Sequence, residues 1–102
     1  MKKGIAMRVL LKAHFDAEKG SQLISSGKMG GLIQDIVDRV HPEAAYFLPD
    51  EGDRTAFLVF DLEDVSQIPV ITEPLFREGN ATVSYTPVMN LDDVQKGLSQ
   101  LR

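Results

Sequence analysis

Few side chains in this sequence are of a kind that does chemistry, and their spacing narrows what they could do. There are two histidines, His14 and His41, and no cysteine. Without cysteine there is no thiolate nucleophile, no thiolate metal site and no disulfide framework. The histidines form neither a His-x-His nor a His-x3-His spacing, so no metal site is expected. His41 precedes Pro42 and reads as a helix end, where a cation is favourable. His14 stands in "MRVLLKAHF", where Met7, Val9, Leu11, Ala13 and Phe15 alternate with Arg8, Leu10, Lys12 and His14. That alternation puts Arg8, Lys12 and His14 on one face of a strand. In "NATVSYTPV", Thr82, Ser84 and Thr86 likewise share a face, and this last strand is expected beside the first. Together the two faces would make a basic, hydroxyl-rich surface able to take an anionic or polar small molecule. The alternative is a set of interface residues satisfied by water and by a partner's carboxylates.

A second candidate constellation centres on Glu73, which precedes Pro74. Held near Tyr46 or Asn80 in a pocket between helices and sheet, its carboxylate would serve as a base, with burial raising its pKa. An exposed Glu73 paired with Arg77, four residues on, is the plainer alternative. Tyr46 and Tyr85 alternate with apolar neighbours, as core tyrosines do, and a buried tyrosine hydroxyl finds a partner. Phe76, with Phe57 and Met89, could wall an apolar pocket, although the same spacing suits an ordinary core. "SSGKMGG" (25–31) looks like a phosphate loop but fails the pattern. Gln22 stands where the first glycine belongs, and Met29 where Ser or Thr belongs. It reads as a turn between helices.

The elements that position these residues follow from periodicity and punctuation. Asp16 caps a helix over 17–26 that Gly27 ends, and an apolar stripe of Leu32, Ile33, Ile36, Val37 and Val40 marks a second over 30–40. His41-Pro42 stops it. "EAAYFL" (43–48) and "TAFLVFDL" (55–62) flank the turn "PDEGD" and read as a hairpin. Asp64 or Ser66 caps the next helix, with Pro69 in its tolerant first turn. Pro74 removes the bond to the carbonyl of Val70, which points to a break: a helix over 65–72 and a fresh turn from Pro74 to Gly79. A kinked continuous helix is the alternative. The last strand, 80–88, carries Pro87 and so lies at an edge or ends there. Asn90 then caps a closing helix, "LDDVQKGLSQLR", with Val94, Leu98 and Leu101 as its apolar stripe.

The order is β-α-α-β-β-α-β-α. Two split β-α-β units make an α+β, ferredoxin-like βαββαβ sandwich: an antiparallel four-stranded sheet with helices on one face and an extra C-terminal helix. At 102 residues this is one domain, read as 7–102 behind a short extension or tag-like stretch, 1–6. The bare sheet face calls for a cover, and a second copy of the chain is the simplest. A net charge of −4 argues against a nucleic-acid partner. No apolar run approaches the ~20 residues of a membrane span, and a cytoplasmic location is expected.

Three segments carry a resemblance: "HPEAAYFLPDEGDRTAFLVFDLEDVSQIP", "EPLFREGNATVSYTPVMN" and "DDVQKG". From Met7 to about Leu98 the chain resembles a family of small bacterial proteins within the dimeric α/β-barrel superfamily. The resemblance implies a ferredoxin-like protomer whose open sheet pairs with another to close a barrel. Relatives in the superfamily include cofactor-free monooxygenases, muconolactone isomerases, haem-binding enzymes and stress-responsive proteins, so the fold does not choose among them. The expected function is a homodimeric barrel protein that binds a small molecule without a cofactor. The alternative is a cofactor-independent monooxygenase or isomerase acting on an aromatic or lactone-like substrate. For a haem-binding variant, His14 is the one axial-ligand candidate.

Overall fold

A computed structural model describes residues 6–101, and the expected extension at 1–6 lies almost wholly outside them. Eight elements follow in the expected order. They are β1 (Met7–His14), α1 (Ala17–Ser25), α2 (Met29–Val40), β2 (Ala44–Asp50), β3 (Asp53–Leu62), α3 (Gln67–Gly79), β4 (Thr82–Pro87) and α4 (Leu91–Leu98). The four strands form one antiparallel sheet in the order β2-β3-β1-β4, the ferredoxin-like arrangement. No helix among the described residues is long and apolar enough to cross a membrane.

Local chemistry explains most of the boundaries. The Asp16 carboxylate accepts from the Lys19 amide at 3.0 Å and caps α1, and Gly27 at φ 76° ends it. His41 closes α2 in the left-handed region at φ 48°, just before Pro42 forbids another turn. The β2–β3 hairpin is tighter than the turn signal suggested. β2 runs on through Pro49 to Asp50, which pairs with Asp53, and only Glu51 and Gly52 are left as the loop. Both have positive φ, 54° and 86°, as a two-residue type I′ turn requires. Pro49 is tolerated because β2 is an edge strand.

The expected break at Pro74 does not occur: α3 is one helix from Gln67 to Gly79, with Pro74 inside it. Proline removes a single backbone bond here, the one to the Val70 carbonyl. Val70 is half exposed, so the lost acceptor lies toward solvent. On the other side Ile71, Thr72 and Leu75 are buried and hold both halves of the helix to the sheet. Packing of three side chains outweighs one hydrogen bond of roughly 1 kcal/mol net.

The core lies between one sheet face and α1–α3. Val9, Leu11, Ala13, Ala56, Leu58, Phe60 and Leu62 meet Leu23, Leu32, Ile36, Ile71 and Leu75. Gly79 is a close-approach glycine, since a Cβ there would sit 2.7 Å from the Phe15 ring. α4 contributes nothing to this core. Its capping box is complete, with Asn90 and Asp93 each bonding the other's backbone amide, yet none of its residues is buried.

Candidate functional site: the open face of the sheet

Alternation along β1 sends Val9, Leu11 and Ala13 to the helices and Arg8, Leu10, Lys12 and His14 to the opposite, uncovered face. Register then fixes their neighbours. Lys12 stands between Phe57 of β3 and Ser84 of β4, with Tyr46 of β2 beyond Phe57. His14 stands between Thr55 and Thr82, with Leu48 beyond Thr55, and Leu10 stands between Val59 and Thr86. The face is therefore divided along the strand direction. Its β2–β3 half is apolar and aromatic (Tyr46, Leu48, Phe57, Val59). Its β1–β4 half is basic and hydroxyl-rich (Lys12, His14, Thr82, Ser84, Thr86). The expected meeting of the first and last strands is what the structure contains.

One residue ties the two halves together. Asp50, at the end of β2, reaches across so that its Oδ2 lies 3.0 Å from His14 Nε2 and 3.0 Å from Lys12 Nζ. Hydrogen bonds from His14 first and then from Lys12 hold the Asp50 carboxyl below the ordinary aspartate range. Lys12 Nζ also sits 5.7 Å from the centre of the Phe57 ring, on its face, a cation–π contact. Sequence reasoning missed Asp50 because it read 49–53 as turn. Continuing the alternation Ala44, Tyr46, Leu48 by one step places residue 50 on the same face.

Arg8 belongs to a different cluster. Its Nε donates to Glu43 Oε1 at 2.8 Å, and its Nη1 lies 3.5 Å from Asp93 Oδ2 at the start of α4. The Glu43 contact raises the guanidinium pKa further. All three residues expected to share this face, Arg8, Lys12 and His14, thus have carboxylate partners within their own chain.

Lys12, His14, Thr82 and Ser84 line a concavity of about 140 Å³. That is smaller than the roughly 300 Å³ at which small-molecule pockets begin. One protomer offers the wall of a site rather than an enclosure.

The second constellation does not assemble. Tyr46 is on the open face and 68% exposed, which corrects its reading as a core tyrosine. The period-2 pattern was right, but both faces of β2 carry apolar residues, so the pattern alone did not say which one is buried. Glu73 lies exposed on α3, on the helix side of the sheet, and so cannot meet Tyr46 in a pocket. Among the described residues no ion pair joins Glu73 to Arg77 either. Phe76 is half exposed on the same helix. Asn80 caps α3 in the left-handed conformation at φ 48°, a backbone role that asparagine fills readily. Tyr85 is on the core side, where its hydroxyl lies 2.6 Å from Thr72 Oγ1. Burial pushes its pKa up.

A larger groove of about 590 Å³ runs between α2 and α3, past Pro74, but charges of both signs such as Lys28, Asp35, Arg77 and Glu78 line it. Among the described residues no network of hydrogen bonds converges there. Comparison with known proteins is silent on all of these surfaces: no family model, no curated protein and no solved structure matches the chain.

Proposed function

We propose that two copies of this chain close face to face into an α/β barrel whose lumen binds a small molecule. The observation that carries this reading is the uncovered sheet face with its Lys12–Asp50–His14 cluster at a half-formed cavity. A chain that spends a lysine, a histidine and an aspartate on one exposed sheet face, next to Tyr46 and Phe57, has built a surface with a polar and an aromatic half. A second copy would supply the missing wall. The uncovered apolar side chains of α4 and the residues after it (Leu91, Leu98 and Leu101, each more than half exposed) add to the surface that an assembly would cover.

Because Asp50 neutralises Lys12, the lumen favours a polar or weakly acidic ligand with an aromatic body over a multiply charged anion. Native mass spectrometry of the protein as purified tests the reading. A dimer is expected, with a discrete adduct released on denaturation if the ligand co-purifies. A monomer at micromolar concentration overturns it.

A second reading, an isomerase or oxygenase without a cofactor, rests on the His14–Asp50 hydrogen bond. A histidine oriented by a carboxylate at one ring nitrogen offers the other, Nδ1, as a general base. Turnover that survives His14→Ala unchanged would remove this residue from any such chemistry.

A further inference from the structure

A different cavity lies between α2 and the end of the β2–β3 hairpin, with Leu48 and Thr55 of the sheet edge among its walls. Its volume is about 320 Å³, and Phe15, Met29, Ile33, Phe47 and Pro49 are among its walls. Polar atoms are few. Thr55 lines it, but its hydroxyl donates to the Asp53 carbonyl at 3.0 Å. The charged group at the rim is Arg54. Among the described residues no carboxylate lies within 4 Å of its guanidinium, in contrast to Arg8, Lys12 and His14 on the open face.

The Arg54 side chain is exposed but not without neighbours. Its backbone carbonyl accepts from the Phe15 amide at 2.9 Å, and its side chain lies across α1 at Gly20. A Cβ on Gly20 would meet Arg54 Nη1 at 3.3 Å and Cδ at 3.7 Å. Glycine is unfavourable inside a helix, and here its missing side chain is what leaves room for the guanidinium. Phe47, beside it, is 52% exposed although it points to the helix side of the sheet, so its ring is not covered by the core.

We infer that this cavity binds a small carboxylic acid with an aromatic or branched aliphatic body, its carboxylate on Arg54 and its body against Phe15, Met29 and Phe47. The guanidinium fork matches a carboxylate in a bidentate pair. An apolar wall with one unpaired cation at its rim suits a single charged head on an apolar body. A sugar phosphate would find too few donors. Met29 adds a thioether that adapts to differently shaped bodies. The volume lies within the small-molecule range. The site needs no partner protomer, so it stands or falls separately from the barrel reading.

The test uses 4-phenylbutyrate and its neutral counterpart 4-phenylbutan-1-ol, titrated into the full-length protein. Methyl NMR of Met29 and Ile33 reports binding at the cavity. Both ligands should shift these two methyls, and the carboxylate should bind at least about tenfold more tightly, the gain expected of a charge-assisted pair. Arg54→Gln should abolish that preference while leaving alcohol binding intact. Arg54→Lys, which keeps the charge without the fork, should retain part of it and serves if the Gln variant does not fold. No methyl shift at millimolar ligand, equal affinities for acid and alcohol, or a preference that survives Arg54→Gln would each overturn the assignment.

Discussion

The two faces of the sheet are made by the same strands and answer to different rules. On the helix-covered face, Val9, Leu11 and Phe60 are almost fully buried, and the polar pair of Thr72 with Tyr85 is satisfied within the chain. On the open face every second residue of β1 is only partly buried, and charged groups sit among aromatic ones. Leu10 and Leu11 are neighbours of identical type, yet one belongs to each regime. The lesson is that hydrophobic burial fixes the fold from one side only. The other side is shaped by paired charges, which contribute little to stability at an exposed surface and much to what the surface can recognise.

The strongest way to break this contrast is to truncate the two leucines separately. Leu11→Ala should lower the unfolding free energy by about 2 to 5 kcal/mol. Leu10→Ala, measured at low protein concentration, should lower it by about 1 kcal/mol or less, as for a partly exposed site. Denaturant titration measures both. Equal losses would mean that the two faces are not distinct. A Leu10→Ala effect that grows with protein concentration would show that something covers the open face. Gly79→Ala tests the tightness of the closed side. Its new methyl would begin 2.7 Å from the Phe15 ring. The expected loss is about 1 to 3 kcal/mol by overpacking, read as a lower melting temperature.

Thr72→Val should cost about 1 kcal/mol, because it strands the Tyr85 hydroxyl on the core side without its 2.6 Å partner. Tyr85→Phe in the same background should recover most of that loss. The smallest effect belongs to the open face and depends on pH. The Asp50 carboxyl is depressed in the folded protein, so its contribution is present above the ordinary aspartate range and disappears as pH falls through the depressed value. Asp50→Asn should therefore be less stable than the parent at neutral pH, with the gap closing on acidification below about pH 4. A gap that does not change with pH would mean that the bonds to His14 and Lys12 are not formed in solution.

Much of this architecture could be read from residue order alone. Element order, the meeting of His14 and Thr82 on one face, and the capping role of Asn90 all follow from local patterns that the tertiary structure respects. Three features did not follow, each for a physical reason. The continuity of α3 through Pro74 depends on three buried neighbours outweighing one lost bond, and a sequence pattern does not weigh packing against hydrogen bonding. The side of β2 on which Tyr46 lies depends on which face the helices cover, and β2 is apolar on both. Asp50 was hidden by turn composition. Aspartate before Glu-Gly is ordinary turn chemistry, and only the two-residue length of the actual loop turns it into a strand residue facing Lys12 and His14.

The bare helix at the C-terminal end has a kinetic consequence. An eight-residue helix with a complete capping box but no buried side chain has little beyond its own hydrogen bonds and the 3.5 Å contact of Asp93 with Arg8 to hold it, and helices this short are marginal in water. Its amides should therefore exchange with solvent far faster than those of β1 or α3 in an isolated protomer. A protease should also cut near Met89 long before it reaches the core. Protection of residues 91–98 then becomes a gauge of occupancy: whatever comes to rest on Leu91, Leu98 and Leu101 will slow exchange there first. That slowing would register an encounter before any change in the rest of the fold.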